Sequence, residues 1–309
     1  MTLRKNNNKD VIARPFVKWA GGKGYLIQQL ETLLPTNFDE LQNVTYIEPF
    51  VGGGAMLFHM LQRYKCIRRA VINDINPDLI HCYQLIARSP EILIERLRYL
   101  ENNYYSVDFL ARKEMFYNCR DLYNSEEIQP DERAALFIFL NRTCFNGLYR
   151  VNAAGKFNVP YGRYKRPVIC NEELILADHR LLNTIELVIR QPGDYKLVKR
   201  NLSRSYMNFV YFDPPYRPLF GSSNFKAYSN SPFGDKQQVE LKLFCDKLST
   251  RNCQVMLSNS DSREQNDVCY FEELYKDYYF SRILAPRFIN ANPKKRNELE
   301  EIVIRNYTF

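Results

Sequence analysis

The chain has 309 residues, of which 45% are hydrophobic and 25% charged, and its 43 Lys and Arg against 35 Asp and Glu leave a net charge of +8. That balance belongs to a folded chain of about two domains, or one domain with a large insertion, and the positive excess favours a polyanionic partner. It excludes a membrane span, because the longest apolar run (Ala134 to Leu140) falls far short of the roughly 18 residues required, and the polar start from Met1 to Asp10 has no apolar core for secretion. Eight cysteines form no C-x-x-C pair and only three histidines occur, so no metal site is expected and the thiols read as reduced core side chains of a cytoplasmic protein.

Three zones follow in chain order. The first alternates strand-like runs (Thr45 to Phe50, Ala70 to Asn73) with helix-like ones (Tyr25 to Leu34, Ala55 to Arg63), the pattern of a parallel, helix-covered sheet. Asn76-Pro77-Asp78 predicts a helix start, with Asn as the cap. The second zone is first helical (Leu79 to Leu100, Phe109 to Leu122). It then predicts two short strands, Gly147 to Asn152 and Phe157 to Tyr161, around a glycine turn. No acidic residue stands between Arg133 and Asn171, a stretch that carries seven basic residues interleaved with Phe145, Tyr149, Tyr161 and Tyr164. Basic residues mixed with aromatics suit phosphates and bases. The third zone returns to alternation, with strands Asn208 to Phe212, Val255 to Ser258 and Glu301 to Arg305 and a helix Gln237 to Leu248. The expected organisation is therefore a first part of a sheet domain over residues 1–76, an insertion over 77–167 and the rest of the sheet domain over 168–309.

Three segments carry chemistry. Tyr46 to Ala55 runs from a strand through Gly52, Gly53 and Gly54 into a helix, which brings backbone N–H groups close to a ligand. Asp74 follows after a second strand, where an acid can hold both hydroxyls of a ribose. Phe16 to Gly24 is not a nucleotide-binding P-loop, because Val17 stands where the leading glycine belongs and Gly24 replaces Ser or Thr, yet Lys23 beside two glycines can reach a carboxylate. Asp213-Pro-Pro-Tyr216 ends a strand, where open sheets place ligands. The Asp213 carboxylate and the Pro214 carbonyl can each accept one hydrogen of an exocyclic NH2. That draws the nitrogen lone pair out of conjugation and stabilises the charge that develops as it attacks. Tyr216 can stack on the base. Cytosine-carbon methylation lacks its Pro-Cys nucleophile, and zinc deamination lacks its ligands.

FVKWAGGK, EPFVGGGA, NDINPDLI, FNGLYRVN, FNVPYGRYK and YFDPPYRPL, in this order, resemble the Dam-type family of DNA adenine-N6 methyltransferases over nearly the whole chain. The resemblance implies an α/β, Rossmann-like methyltransferase sheet with an inserted helical and β-hairpin DNA-recognition domain. It implies S-adenosylmethionine as donor and S-adenosylhomocysteine as product, with Trp19, Lys23, Gly52, Gly54, Asp74, Asp194, Tyr195 and Asp213 at the cofactor. Asp213, Pro214, Pro215 and Tyr216 would grip an adenine flipped from double-stranded DNA. N-G-L-x-R followed by F-N-V-P is like the pattern of members that act on GATC. In that reading Leu148 and Arg150 read bases, Phe145 wedges into the stack beside Asn146, Pro160 packs on a base edge and Lys18 reaches an outer base. The expected protein is a monomer or weak dimer, in a restriction-modification pair or acting alone. Rival targets are cytosine N4, an RNA adenine or a protein glutamine; a rival class is a catalytically silent DNA-binding regulator. Asp261 to Pro286 and Lys196 to Met207 depart most from the pattern, and Asn292 to Arg296 is a candidate backbone-contacting loop.

Overall fold

The computed structural model describes residues 11–218, 233–263, 268–285 and 299–308. These fall into two compact units, one drawn from Met1–Gly21 and His81–Thr184, the other from Gly22–Ile80 and Ile185–Phe309. The loop Asn292 to Arg296 lies outside the described residues.

The second unit is a seven-stranded sheet. Its strands are β1 (Val44–Glu48), β2 (Ile67–Ile72), β3 (Glu186–Ile189), β4 (Asn208–Phe212), β5 (Cys253–Ser260), β6 (Tyr279–Ala285) and β7 (Leu299–Arg305), in the order β3-β2-β1-β4-β5-β7-β6. The first five are mutually parallel, and β7 runs antiparallel to both β5 and β6. β1 and β4 are buried along their whole length, as central parallel strands covered on both faces must be. On one face Ile47, Val71, Val210, Phe212, Leu257, Ile302 and Ile304 pack with Leu241, Phe244 and Leu248. The last three lie on the helix Asp235–Ser249. On the other face the period of two places Tyr46 with Glu48, and Tyr211 with Asp213. That face is polar within: the Tyr46 hydroxyl donates to Glu48 Oε2 at 2.8 Å, and Tyr211 meets Ser258 Oγ at 3.0 Å. Asp213 follows Tyr211 in phase, so it emerges on this polar side.

The short helix α1 (Ile27–Glu31) occupies only the middle of the expected Tyr25 to Leu34 run, and α2 (Ala55–Arg63) matches its expectation. The helix α3 (Pro77–Arg88) begins as read, with Asn76 Oδ1 accepting the Leu79 N–H at 3.0 Å. The expected single run from Leu79 to Leu100 breaks at Ser89, and α4 (Pro90–Ser106) starts on a proline. A residue before proline is pushed out of the helical region, and Ser89 has φ −147°. Strands β3 and β6 had no expectation in the sequence; both are edge strands, and β3 has only four residues.

The first unit is helical, with α4, α5 (Phe109–Tyr123), α6 (Pro130–Thr143) and α7 (Glu172–Leu182). α6 is buried from Ala134 through Asn141, which accounts for the apolar run. The expected pair of strands after it is looser than read. Isolated antiparallel bridges join Cys144 to Tyr161 and Val151 to Phe157, and the Asn158 N–H donates to the Arg150 carbonyl at 3.1 Å. The left-handed pair Asn146 (φ 55°) and Gly147 (φ 64°) and the missing N–H of Pro160 interrupt regular pairing. The two helices that complete the chain are α8 (Asp235–Ser249) and α9 (Tyr270–Leu274) among the described residues.

Candidate active site

Strand order reverses between β1 and β4, and parallel α/β sheets bind ligands outside the C-terminal ends of strands at such a switch. In the sheet unit β1, β2 and β4 deliver their ends to this edge. After β1 comes the turn Val51 to Gly54, in which Gly52 has φ 49° and Gly54 has φ 75°. A side chain at either position would be strained, so the close backbone path depends on glycine.

After β2 comes Asp74, nine-tenths buried. Its Oδ2 accepts the Gly52 N–H at 3.0 Å and its Oδ1 the Asn76 N–H at 2.9 Å. Burial raises its pKa, and these backbone donors oppose the rise. The neighbouring Asn73 Nδ2 donates to the Pro49 and Gly193 carbonyls, which ties the loop before Asp194 to the same edge. Asp194 itself is exposed and accepts the Lys196 N–H at 2.7 Å. Tyr195 is buried with its ring stacked on Phe50 at 5.2 Å, inside the core.

After β4 comes Asp213. Lys23 Nζ lies 3.0 Å from its Oδ1 and 4.4 Å from the centroid of the Tyr216 ring. Lys23 is only 3% exposed, so its charge is held by this carboxylate and this ring rather than by bulk water. Burial raises the Asp213 pKa above the ordinary carboxylate value, and the Lys23 ammonium holds it down in part. Burial also raises Glu48, one turn of the pleat below. The second proline is braced: the Pro215 carbonyl accepts from Gln238 Nε2 at 3.1 Å, which fixes the Pro215–Tyr216 peptide. The Arg217 N–H donates to Asn259 Oδ1 at 3.1 Å, and its buried guanidinium forks onto Asp235 at 2.9 and 3.2 Å.

Two residues of this edge escaped sequence reading. Glu301 Oε2 accepts the Tyr216 hydroxyl at 2.7 Å, and its Oε1 the Tyr25 hydroxyl at 3.3 Å. Two adjacent carboxylates, Glu300 and Glu301, ahead of the apolar run Ile302 to Ile304 were the available signal.

The first unit holds the other expected residues. Phe145 is half exposed, on a 3-10 turn whose Asn146 is left-handed and exposed. Arg150 is exposed, and its Nε donates to Asn158 Oδ1 at 2.8 Å. Leu148 is half-buried and Pro160 exposed. Trp19 stacks on Tyr149 at 5.6 Å, and Lys18 Nζ sits 5.0 Å over the Tyr164 ring. Asn141, on α6, is a further residue missed: its Oδ1 accepts the Lys18 N–H at 2.8 Å, and its Nδ2 donates to the Lys18 carbonyl at 2.8 Å and the Gly147 carbonyl at 2.9 Å. Contact at that point is close, since a Cβ on Gly147 would lie 2.4 Å from Lys18 Cδ.

Residues 19–287 match the family model of the D12 class N6 adenine-specific DNA methyltransferases. The chain belongs to that family. The methyltransferase is 42% identical over 297 residues to the type II methyltransferase M.MjaIII of Methanocaldococcus jannaschii, covering 95% of this chain and 99% of that protein. It is 37% identical to the type II methyltransferase M1.LlaDCHI of Lactococcus lactis subsp. cremoris, covering 99% and 98% of the two chains. It is 31% identical to the DNA adenine methylase of Escherichia coli (strain K12), covering 94% of each. The protein is thus an adenine-specific DNA methyltransferase that needs a methyl donor and DNA, and the cytosine, RNA and glutamine targets fall away. No described helix is long and apolar enough to cross a membrane, and no three described His, Cys, Asp or Glu residues cluster as metal ligands.

Proposed function

We propose that this methyltransferase takes its methyl group from S-adenosylmethionine and places it on N6 of the adenine of GATC in duplex DNA, after rotating that base out of the helix. The observation that carries the reading is the half-buried Asp213 at the end of β4, ion-paired to the buried Lys23, with the Tyr216 ring against the same lysine.

The residues at the sheet edge suit a nucleoside-type donor. The Gly52 and Gly54 turn permits close backbone approach, Asp74 suits ribose hydroxyls and the buried Lys23 ammonium suits a carboxylate. Each Asp74 oxygen accepts one backbone N–H, and a carboxylate oxygen has a second lone pair for a hydroxyl. The bound donor supplies an electrophilic methyl on a sulfonium sulfur. The Asp213 carboxylate accepts one N6 hydrogen and the Pro214 carbonyl the other. That localises the lone pair on N6, and the nitrogen forms the new N–C bond as the S–C bond breaks. Asp213 stabilises the cationic nitrogen, and the N6 proton leaves afterwards. Tyr216 holds the base in line by stacking.

In the helical unit, Phe145 on its exposed turn suits a wedge beside Asn146, and Arg150 and Leu148 on one arm suit a guanine edge and a thymine methyl. Pro160 and Lys18 complete that surface.

The test is transfer of labelled methyl from S-adenosylmethionine to a GATC duplex and to a duplex with the same bases permuted. Label should appear on N6 of the GATC adenine alone. Asp213→Ala should lower transfer about 100- to 1,000-fold while duplex binding persists. Arg150→Ala should narrow the gap between the two duplexes, by about 1–3 kcal/mol of discrimination. Equal labelling of both duplexes by the wild type would refute the GATC reading.

A further inference from the structure

The antiparallel strand β7 brings a carboxylate to an edge that is otherwise built from parallel strand ends. Glu301 pairs with Ser260 on β5 and Ile283 on β6. Ser260 is the last residue of β5, so the register puts the start of β7 beside the ends of the parallel strands. Glu301 is 8% exposed. A carboxylate so placed needs donors, and its two oxygens each have one: the Tyr216 hydroxyl at 2.7 Å and the Tyr25 hydroxyl at 3.3 Å.

Tyr216 is the residue whose ring meets Lys23, and Lys23 is the residue whose ammonium meets Asp213. Glu301 therefore stands at the far end of a chain of contacts that leads through a phenol and an ammonium to the carboxylate that faces the reacting nitrogen. Tyr216 lies in a loop, and a loop side chain without a hydrogen-bonded tip samples several rotamers. One short bond to a carboxyl oxygen, at 2.7 Å, selects one of them. Burial followed by the Glu301 charge pushes the Tyr25 phenol up to about 12, and burial with the Asp213 and Glu301 charges raises Tyr216 well above its ordinary value. Both phenols stay protonated at working pH and remain donors.

We infer that Glu301 is a positioning residue for methyl transfer: with Tyr25 bracing its other oxygen, it fixes the Tyr216 ring in the orientation that both stacks on the extruded adenine and faces the Lys23 ammonium. The inference rests on the reading of Tyr216 as the stacking residue. Glu301 acts through the Tyr216 hydroxyl and does not touch substrate.

The experiment is a double-mutant cycle on the full-length enzyme, with single-turnover transfer of labelled methyl from S-adenosylmethionine to an adenine-containing duplex. Glu301→Ala and Tyr216→Phe should each slow transfer about 10- to 100-fold, the effect of losing one hydrogen bond to a charged group. In the Tyr216→Phe background, Glu301→Ala should change the rate less than about threefold, because the hydroxyl it holds is already gone. Glu301→Gln, which keeps an acceptor, should recover most of the loss. Multiplying losses in the double variant, or no rescue by Gln, would overturn the inference. If Glu301→Ala does not fold, the same cycle is run with Glu301→Gln, whose smaller effect must likewise vanish in the Tyr216→Phe background. An enzyme whose wild type labels no adenine would instead refute the proposed function, so the two failures are separable.

Discussion

Replacing Lys23 by Met removes one charge and keeps the shape of a long side chain. The ammonium lies 3.0 Å from Asp213 Oδ1, a separation worth about 5 kcal/mol at an effective dielectric near 20. The Asp213 side chain keeps 19% of its exposure, so water takes part of that interaction, and about 2 kcal/mol is a fair remainder. A loss of that size raises the proton affinity of Asp213 more than tenfold. Its sign is fixed by the causes: burial already raises the pKa and Lys23 is the largest opposing influence. The assay is single-turnover methyl transfer against pH at saturating donor and duplex. In the proposed mechanism transfer needs Asp213 ionised, so the acid limb of the Lys23→Met profile should move to higher pH, and at pH values where the wild type is still on its plateau the variant should fall away. The folding equilibrium gives an independent check. A carboxylate whose folded pKa is raised loses stability as pH rises through that value, so the deficit of the variant in urea unfolding should be larger at pH 8 than at pH 5. An acid limb that coincides with that of the wild type would refute the reasoning, because the lysine charge would then not reach the carboxylate.

Two further outcomes follow from the helical unit. Asn141→Ala leaves the Lys18 N–H and carbonyl and the Gly147 carbonyl without their partner, each at about 1–3 kcal/mol if still buried. On the proposed GATC specificity, the ratio of kcat/KM between a GATC duplex and one altered at a single base should fall about tenfold, and an unchanged ratio would show that the Asn141 contacts do not set recognition. Asp178 is fully buried on α7, accepts the Arg14 N–H at 3.0 Å and has its pKa raised by burial to about 8. The unfolded carboxylate titrates near 3.9, so between these values the folded state holds the extra proton and stability falls as pH rises through about 8. Urea unfolding of Asp178→Asn should lack that decline between pH 6 and pH 9; an identical slope in the two proteins would remove Asp178 as its source.

The segments that could be read from sequence are those whose chemistry is contiguous. Gly52 and Gly54 announce a turn that only glycine makes, Asn76 announces a helix start through its own side chain, and Asp213-Pro-Pro-Tyr216 carries its acceptors and its ring within four residues. Local backbone rules suffice for these, whereas the helix break at Ser89 was not read, because the apolar spacing continues across Pro90. The hairpin after α6 was legible as a turn but not as the loose pairing observed, since the neighbour that holds the left-handed Gly147, Asn141 on α6, donates to its carbonyl from outside the hairpin. Edge strands β3 and β6 carry too short or too mixed a pattern to stand apart from loop.

Sequence alone determined which residues follow β1, β2 and β4, because each of these strands and its following turn is specified within a dozen residues. Tertiary structure alone decided that Tyr25, Lys23, Asp213, Tyr216 and Glu301 share one edge. Glu301 stands 85 residues from Tyr216 and 276 from Tyr25, and nothing local says which way its strand runs. Direction and register are settled when β7 pairs antiparallel between β5 and β6, and that pairing turns the beginning of the last strand, rather than its end, toward the chemistry.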